Sequence, residues 1–306
     1  MSFYFYLLIL LCPIFALFAD YQNAIPIIVP ADHCFEARTI DPSTPRLLIL
    51  HYTSESLAKT LKIFLGYEEG KKTSSHYAIS EDGIVFQHVP ENKCAHHAGI
   101  SYWDKKSGLN AISFGIEHVN LGFKDKRNNV PGIKVIGSSR EWYPFYPDQI
   151  EAGIQLCDYL IKKYHIEPRN VLAHSDVAPG RKSDPGPLFP WKQLADRGIG
   201  AWPDAKKSWQ LPCFIHAQSS GNLKIWLIDH LPIWGYQLPD KKTSAKDIIQ
   251  AFQMHFRQQD ISGTADKETA TILNNLLCNF VIKSKGTMCP CSNPNFSSRH
   301  SFSDGG

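Results

Sequence analysis

A short apolar run, residues 47–50 (LLIL), is followed directly by His51. Such a run is typical of a β-strand that is buried on both faces of its sheet. The shorter run 171–173 repeats this pattern and is followed by His174. The carboxyl ends of buried strands are where α/β folds place their active sites. The sequence therefore predicts an α/β domain in which two histidines each stand at the carboxyl end of a buried strand.

Helical and extended patterns alternate along the first two thirds of the chain, which supports the α/β prediction. Residues 112–119 alternate in character, so Glu117 shares one face of a predicted strand with Ser113 and Gly115. These small residues leave room beside the carboxylate. The other predicted elements are a helix from a cap at Ser54 to Gly66, a hairpin of strands 75–80 and 84–89 that turns at 81–83, a polar loop insertion at 124–140, and a helix at 148–164.

Composition narrows the range of partners. The chain has 306 residues, of which 43% are hydrophobic and 20% charged, and this length can bury one sizeable core and a small second domain. Its formal net charge is only +3, and no long block of lysine and arginine is present. A nucleic-acid partner is therefore not expected.

The first 19 residues differ from the rest of the chain. Residues 3–18 carry no charge, and polar sequence begins at Asp20. An apolar run of about 15 residues is short for a membrane span and typical of a signal peptide. We therefore predict a signal peptide over residues 1–19, cleaved after Ala19, and an exported protein. The alternative is an uncleaved segment that associates the chain with a membrane.

Three potential metal ligands occupy positions suited to a catalytic site. His51 and His174 follow buried strands, and Asp184 lies ten residues after His174 in a loop rich in proline and glycine. Two imidazoles and a carboxylate leave one position open on a tetrahedral zinc ion for a water nucleophile. Glu117 could take the proton of that water, and Lys182 could stabilise an oxyanion. Spacing alone leaves open that these are ordinary core or surface residues, since no compact motif such as H-E-x-x-H is present.

Several stretches resemble the N-acetylmuramoyl-L-alanine amidases of the second amidase family, which is related to the peptidoglycan recognition proteins. The stretches are 48–53 (LILHYT), 115–120 (GIEHVN) and 173–187 (AHSDVAPGRKSDPGP). The continuation 188–204 (LFPWKQLADRGIGAWPD) resembles the periplasmic, peptidoglycan-anchored subgroup. The resemblance covers about residues 40–204 and implies a zinc amidase domain with a mixed central β-sheet flanked by helices.

The resemblance also implies roles for individual residues. In that family, the residues that match His51, His174 and Asp184 bind one zinc ion per chain, and those that match Glu117 and Lys182 assist catalysis.

The run from His97 to Asn110, which includes Trp103, resembles the loop of this family that lines the substrate site. We therefore predict that these three residues bind substrate. Ordinary packing is the alternative for Trp103. His96 departs from the family pattern, which has an aromatic residue there, and this places a stacking contact with substrate in doubt.

A second unit is predicted after an irregular linker that begins near Pro203. Ser244 and Asp247 are predicted to form a capping box that opens a helix, and Asp266 to cap the last helix. Residues 222–277 resemble a three-helix peptidoglycan-binding module in the stretches 234–236 (WGY), 251–253 (AFQ) and 261–266 (ISGTAD). A stabilising appendage without a binding role is the alternative. The tail 287–306 is rich in serine and asparagine and is predicted to be disordered. Of the eight cysteines, Cys12 lies in the predicted signal peptide, Cys289 and Cys291 flank Pro290 in the tail, and the other five are scattered, so the sequence does not determine their pairing.

Together these features predict a bacterial zinc amidase that cleaves the bond between N-acetylmuramic acid, or its anhydro form, and L-alanine. The substrates would be peptidoglycan and muropeptides, and the protein would be a monomer in the periplasm or associated with the outer membrane or cell wall. A non-catalytic peptidoglycan receptor is the main alternative, and the presence of all three ligands together with Glu117 argues against it. A cytoplasmic amidase that recycles anhydro-muropeptides is a second alternative, against which the apolar leader argues.

Overall fold

The computed structural model describes residues 19–27, 46–68, 73–125, 130–204 and 220–282. Almost all of the predicted signal peptide, most of the predicted linker and the tail 287–306 lie outside the described residues. Within the described residues, no helix is both long and apolar enough to cross a membrane.

In the described residues, ten strands form one six-stranded sheet and two small two-stranded sheets. The strands are β1 Ala24–Pro26, β2 Leu47–Tyr52, β3 Tyr77–Ile79, β4 Val85–Gln87, β5 Tyr102–Trp103, β6 Lys106–Ser107, β7 Ser113–His118, β8 Ile133–Lys134, β9 Glu141–Trp142 and β10 Val171–Ala173. The main sheet has the order β1-β4-β3-β7-β2-β10, and only the β3–β4 pair is antiparallel. The predicted mixed sheet is therefore confirmed.

Helices cover both faces of this sheet. They are α1 Leu57–Phe64, α2 Pro147–Tyr164, α3 His174–Val177, α4 Trp191–Asp196, α5 Ser220–Trp234, α6 Ala245–Phe256 and α7 Lys267–Leu276, which continues as a π-helical turn at Leu277–Ile282. Short 3-10 helices lie at Leu109–Ile112 and Pro168–Asn170.

α2 covers one face of the sheet. Proline at its first position has the backbone angle that a helix needs, and His165 ends the helix in the left-handed conformation. Its buried Ile150 and Ile154 belong to the same apolar cluster as Leu48 and Leu50 of β2. Successive side chains of a strand point to opposite faces of the sheet, so Leu48 and Leu50 of β2 are buried together on this face.

The three C-terminal helices belong to the core on the opposite face. Leu47 and Ile49 of β2 lie in one continuous apolar cluster with Leu227 of α5, Phe252 of α6 and Leu273 of α7. The expected helices of the second unit are present, but their core is continuous with that of the sheet rather than separate from it. A break between two units is therefore not visible in the packing.

Two local expectations differ from the structure. The residue that precedes α1 is Ser56 rather than Ser54, and Ser54 instead has a positive φ of 58°. The predicted loop insertion at 124–140 contains β8 and pairs it with β9 as a small antiparallel sheet. Short two-residue strands give no periodic signal, which is why the sequence indicated only a loop.

Candidate metal centre and catalytic cleft

Two parallel pairings bring the predicted ligands to one edge of the sheet. β2 pairs with β7 so that His51 lies opposite Glu117. β10 pairs with the other side of β2, with Ala173 opposite Leu50, so that His174 follows beside His51. The three strands run in the same direction, and their carboxyl ends therefore meet at this edge.

The loop after α3 adds a carboxylate to the two imidazoles. The backbone amide of Ser175 donates to the carbonyl oxygen of Asp184 over 3.0 Å, which holds the returning loop against α3. Nδ1 of His51, Nδ1 of His174 and Oδ2 of Asp184 then form a triangle with every side 2.9 Å long. All three residues are buried, and among the described residues they are the group of histidines, cysteines and carboxylates that could hold a metal ion.

A chain of hydrogen bonds determines which nitrogen of His51 carries a proton. The hydroxyl of Ser113 donates to the carbonyl of Leu109 over 2.8 Å, so Nε2 of His97 donates to Ser113, 3.1 Å away. Nδ1 of His97 is then an acceptor, and it lies 3.0 Å from Nε2 of His51. His51 therefore carries its proton on Nε2 and directs the lone pair of Nδ1 into the centre.

His174 is oriented in the same way by the backbone. Its Nε2 lies 3.1 Å from the carbonyl oxygen of Ala98, which can only accept, so Nε2 carries the proton and Nδ1 is free. Metal-binding histidines in proteins commonly donate their second ring nitrogen to such an acceptor. Two inward lone pairs and one carboxylate oxygen fit a zinc ion, and these three residues would hold it.

Burial determines the protonation states in the centre. Loss of hydration, reinforced by the neighbouring His174, lowers the pKa of His51 to about 4, so its ring is neutral near pH 7. Burial alone would raise the pKa of Asp184. The charges and hydrogen bonds of His174 and His51 outweigh that effect and hold the pKa of Asp184 below its usual range. A neutral imidazole and an ionised carboxylate are the forms that bind a metal.

Glu117 lies beside this centre without taking part in the triangle. Its Oε2 is buried and has no hydrogen-bond partner among the described residues. Burial, together with the negative charge of Asp184, raises the pKa of Glu117 well above its usual range, while the nearby Lys182 opposes the shift. A carboxylate with an unpartnered oxygen and a raised pKa is suited to accept a proton during a reaction.

The centre opens into a cleft of about 440 Å³. Lys182 lines it and is exposed, and it forms no ion pair with a described residue. Arg181 is held differently, because its guanidinium donates to the carbonyl oxygens of Ala98 (2.8 Å) and Ile100 (2.6 Å). Arg140 donates to the hydroxyl of Ser183 over 3.0 Å at the rim. Cations therefore surround the mouth of a site whose interior is acidic.

The three predicted substrate-binding residues lie in different environments: of the three, only His97 lines the cleft, whereas Trp103 lines a separate cavity with Leu47 and Arg169. His97 lines the cleft but is buried behind His51. The side-chain oxygen of Asn110 accepts from the amides of His97 and Ala98, at 3.2 and 2.8 Å. Trp103 is 1% exposed and packs edge-on against Tyr236. Their roles in substrate binding stay predictions.

Sequence reasoning missed the two arginines at the rim. Arg181 adjoins Lys182 in the Pro/Gly loop, so its position could have been found from the same motif. Arg140 lies in the polar insertion, where no pattern shows that its guanidinium lies over the ring of Phe123, 4.0 Å from the ring centroid.

Comparison with known proteins identifies the family. Residues 41–187 match the Amidase_2 family model, described as N-acetylmuramoyl-L-alanine amidase. The chain is 39% identical over 244 residues to N-acetylmuramoyl-L-alanine amidase AmiD of Escherichia coli (strain K12), covering 76% of this chain and 82% of that protein.

Solved structures agree with the sequence match. The complex of AmiD from E. coli with the substrate anhydro-N-acetylmuramic acid-L-Ala-D-gamma-Glu-L-Lys has a TM-score of 0.62 and 35% identity, covering 80% of this chain and 92% of that chain. AmpDh3 from Pseudomonas aeruginosa has a TM-score of 0.65 and 32% identity, covering 82% of this chain and 98% of that chain. By sequence and by fold, the chain belongs to the N-acetylmuramoyl-L-alanine amidase family.

Proposed function

We propose that this protein is a zinc-dependent amidase that hydrolyses the bond between N-acetylmuramic acid, or its anhydro form, and L-alanine. Peptidoglycan and muropeptides would be its substrates. The observation that carries the proposal is the triangle of His51, His174 and Asp184 beside the unpartnered carboxylate oxygen of Glu117. The substrate in the AmiD complex, an anhydro-muramyl tripeptide, supports this choice of bond.

Each residue of the site would have a defined task. A bound zinc ion would acidify a coordinated water and polarise the scissile carbonyl. Glu117 would take a proton from the attacking water on Oε2 and deliver it to the departing nitrogen of L-alanine. The Lys182 ammonium would stabilise the negative charge that develops on the carbonyl oxygen. The products are the lactyl carboxylate and the free amine of the peptide.

The cations at the rim suit the peptide part of this substrate. The tripeptide of the AmiD complex contains a γ-linked D-glutamate, which leaves a free α-carboxylate. Arg140 is exposed, and its guanidinium is oriented by Phe123 and Ser183. Lys182 is exposed beside it in the cleft. We propose that these groups attract the carboxylates of the stem peptide, since guanidinium and ammonium groups are common carboxylate partners.

We also propose that the protein is exported, acts on wall material as a monomer, and binds the wall through its C-terminal helices. The apolar leader supports export. Cys278 is disulfide-bonded, which is typical of an oxidising compartment. The resemblance of residues 222–277 to a wall-binding module supports the attachment.

Metal analysis and product analysis test the central proposal together. The purified protein should contain about one zinc ion per chain and release peptide from an anhydro-muramyl tripeptide, as measured by mass spectrometry. A chelator should abolish the release, and added zinc should restore it. His51→Ala and His174→Ala should lose the zinc, whereas His165→Asn, at an exposed position that does not line the cleft, should keep it. Full zinc in both alanine variants would show that the ligand assignment is wrong.

A further inference from the structure

A buried carboxylate that the proposed mechanism does not use lies in the same short helix as His174. Asp176 is the third residue of α3, which begins at His174. Its side chain is fully buried, and no lysine or arginine among the described residues forms an ion pair with it. A buried carboxylate is costly unless hydrogen bonds replace its lost hydration. The groups that donate hydrogen bonds to the Asp176 carboxylate therefore help to fix the position of α3.

One donor is local, and two come from the C-terminal unit: Tyr236, two residues after α5, and His255 in α6. The backbone amide of Ala173 donates to Oδ2 of Asp176 over 2.8 Å. Nδ1 of His255 lies 2.7 Å from the same oxygen, and it carries the hydrogen because a carboxylate only accepts. The hydroxyl of Tyr236 donates to Oδ1. Burial, together with the charge of Asp176, raises the pKa of Tyr236, so this hydroxyl stays protonated.

Both distant donors are held tightly in place. The ring of His255 stacks on that of Trp191, with centroids 3.8 Å apart. Tyr236 follows Gly235, where an added Cβ would lie 2.5 Å from the ring of Trp103. The amide of Asp104 also donates to the carbonyl of Gly235 over 2.8 Å. The donors to Asp176 therefore have little freedom to move relative to the sheet.

The segment that follows the third ligand has a similar contact. Gln258, two residues beyond α6, donates its side-chain amide to the carbonyl oxygens of Pro187 (2.8 Å) and Phe189. These acceptors lie three and five residues after Asp184. The C-terminal unit therefore contacts the chain on both sides of the ligand loop, at α3 and at the segment after Asp184.

We propose that Asp176 is a positioning residue through which the C-terminal helices hold His174 in the geometry that binds metal. Tyr236 and His255 orient the Asp176 carboxylate, the carboxylate fixes the first turn of α3, and the ring of His174 projects from that turn. The C-terminal unit is thus a part of the metal centre and not only an attachment module. This inference rests on the metal site of the proposed function.

Zinc affinity of the full-length protein tests the inference. Tyr236→Phe removes one hydroxyl, and Asp176→Asn replaces one oxygen by a donor without changing the shape of the side chain. Outer-shell partners of metal ligands typically contribute about 10–100-fold to metal affinity. We expect a loss of about tenfold for Tyr236→Phe, and a larger loss for Asp176→Asn, in competition with a chromogenic chelator. The absorption spectrum of the cobalt-substituted protein should also shift.

Ile248→Val is the matched control, because it trims the core of α6 and leaves all three hydrogen bonds to Asp176 in place. It should lower the Tm slightly and leave the zinc affinity and the cobalt spectrum unchanged. Wild-type zinc affinity in both Tyr236→Phe and Asp176→Asn would overturn the inference and leave the proposed function unaffected. An equal loss of affinity in Ile248→Val would also overturn it, since the effect would then be one of general stability. Absence of zinc from the wild-type protein would overturn the proposed function and the inference together.

Discussion

At the scale of single residues, Glu117 and Lys182 are the groups whose substitution should separate chemistry from folding. Neither belongs to the ligand triangle. General-base catalysis contributes about 10²–10⁴-fold, and one oxyanion donor contributes roughly 10²–10³-fold to turnover. Glu117→Gln and Lys182→Ala should therefore lose kcat by such factors and keep their zinc content and Tm. Near-normal turnover in Glu117→Gln would leave activation of the water to the metal alone.

His88 should make stability depend on pH. Its two ring nitrogens are buried without partners among the described residues, and burial lowers its pKa to about 3. An unfolded histidine binds its proton near pH 6.5. Between these values the unfolded chain binds more protons, so stability is complete above about pH 6.5 and falls as the pH falls, by about 1.4 kcal/mol per pH unit for this group.

Replacement of His88 by leucine should remove this part of the dependence. Leucine has a similar size and packs against Phe64 without any cost of charging. The difference in unfolding free energy between His88→Leu and wild type should grow from pH 7 to pH 4 in urea titrations. A pH-independent difference for His88→Leu would contradict the assigned cause.

At the scale of secondary structure, β7 is built to accommodate the ring of His97. The sequence predicted that Ser113 and Gly115 leave room beside Glu117. In the structure, the ring of His97 packs directly against Gly115. A Cβ on Gly115 would lie 2.5 Å from that ring. Ser113 meanwhile accepts its Nε2 hydrogen. The small residues of this strand therefore support the second nitrogen of His51 through His97.

Gly115→Ala should consequently disturb the metal centre through its support. Overpacking of a core typically costs about 1–3 kcal/mol, and a displaced His97 would no longer fix the proton of His51. We expect a lower Tm and a lower zinc content, measured by calorimetry and elemental analysis. Leu160→Ala in α2 is a control for stability, since large-to-small core substitutions cost about 2–5 kcal/mol, and it should keep its zinc. Equal zinc in the two variants would argue against the role of His97.

The sequence predicted the elements whose signals are local. The capping box of Ser244 and Asp247 is confirmed, and so is the cap of Asp266 on α7. Residues that depend on contacts between distant segments could not be predicted in the same way. The ring of His97 is buried because Gly115 lies opposite it. The carboxylate of Asp176 accepts hydrogen bonds from donors 60 and 79 residues away in the sequence. Neither relation leaves a periodic or spacing signal.

At the scale of the whole molecule, we propose two separable tasks for the C-terminal helices. Attachment to the wall is proposed from their resemblance to a binding module. Support of the sheet follows from the apolar cluster that joins Ile49 and Trp103 to Leu227 and Phe252. A flexible tether would act only by raising local substrate concentration. A supporting layer would affect the site even when the substrate is small and soluble.

Truncation after Asp204 distinguishes the two tasks. Loss of the helices would expose the apolar face beneath β2 and remove the donors to Asp176, so zinc affinity and stability should both fall. The kcat/KM for a soluble muropeptide should therefore fall, in addition to activity on intact sacculi. Attachment can be measured separately by co-sedimentation of full-length Glu117→Gln, which should bind sacculi without cleaving them. If the truncated chain kept wild-type zinc affinity and kcat/KM on the soluble substrate, the helices would be an attachment module alone, because a tether contributes nothing when the substrate diffuses freely.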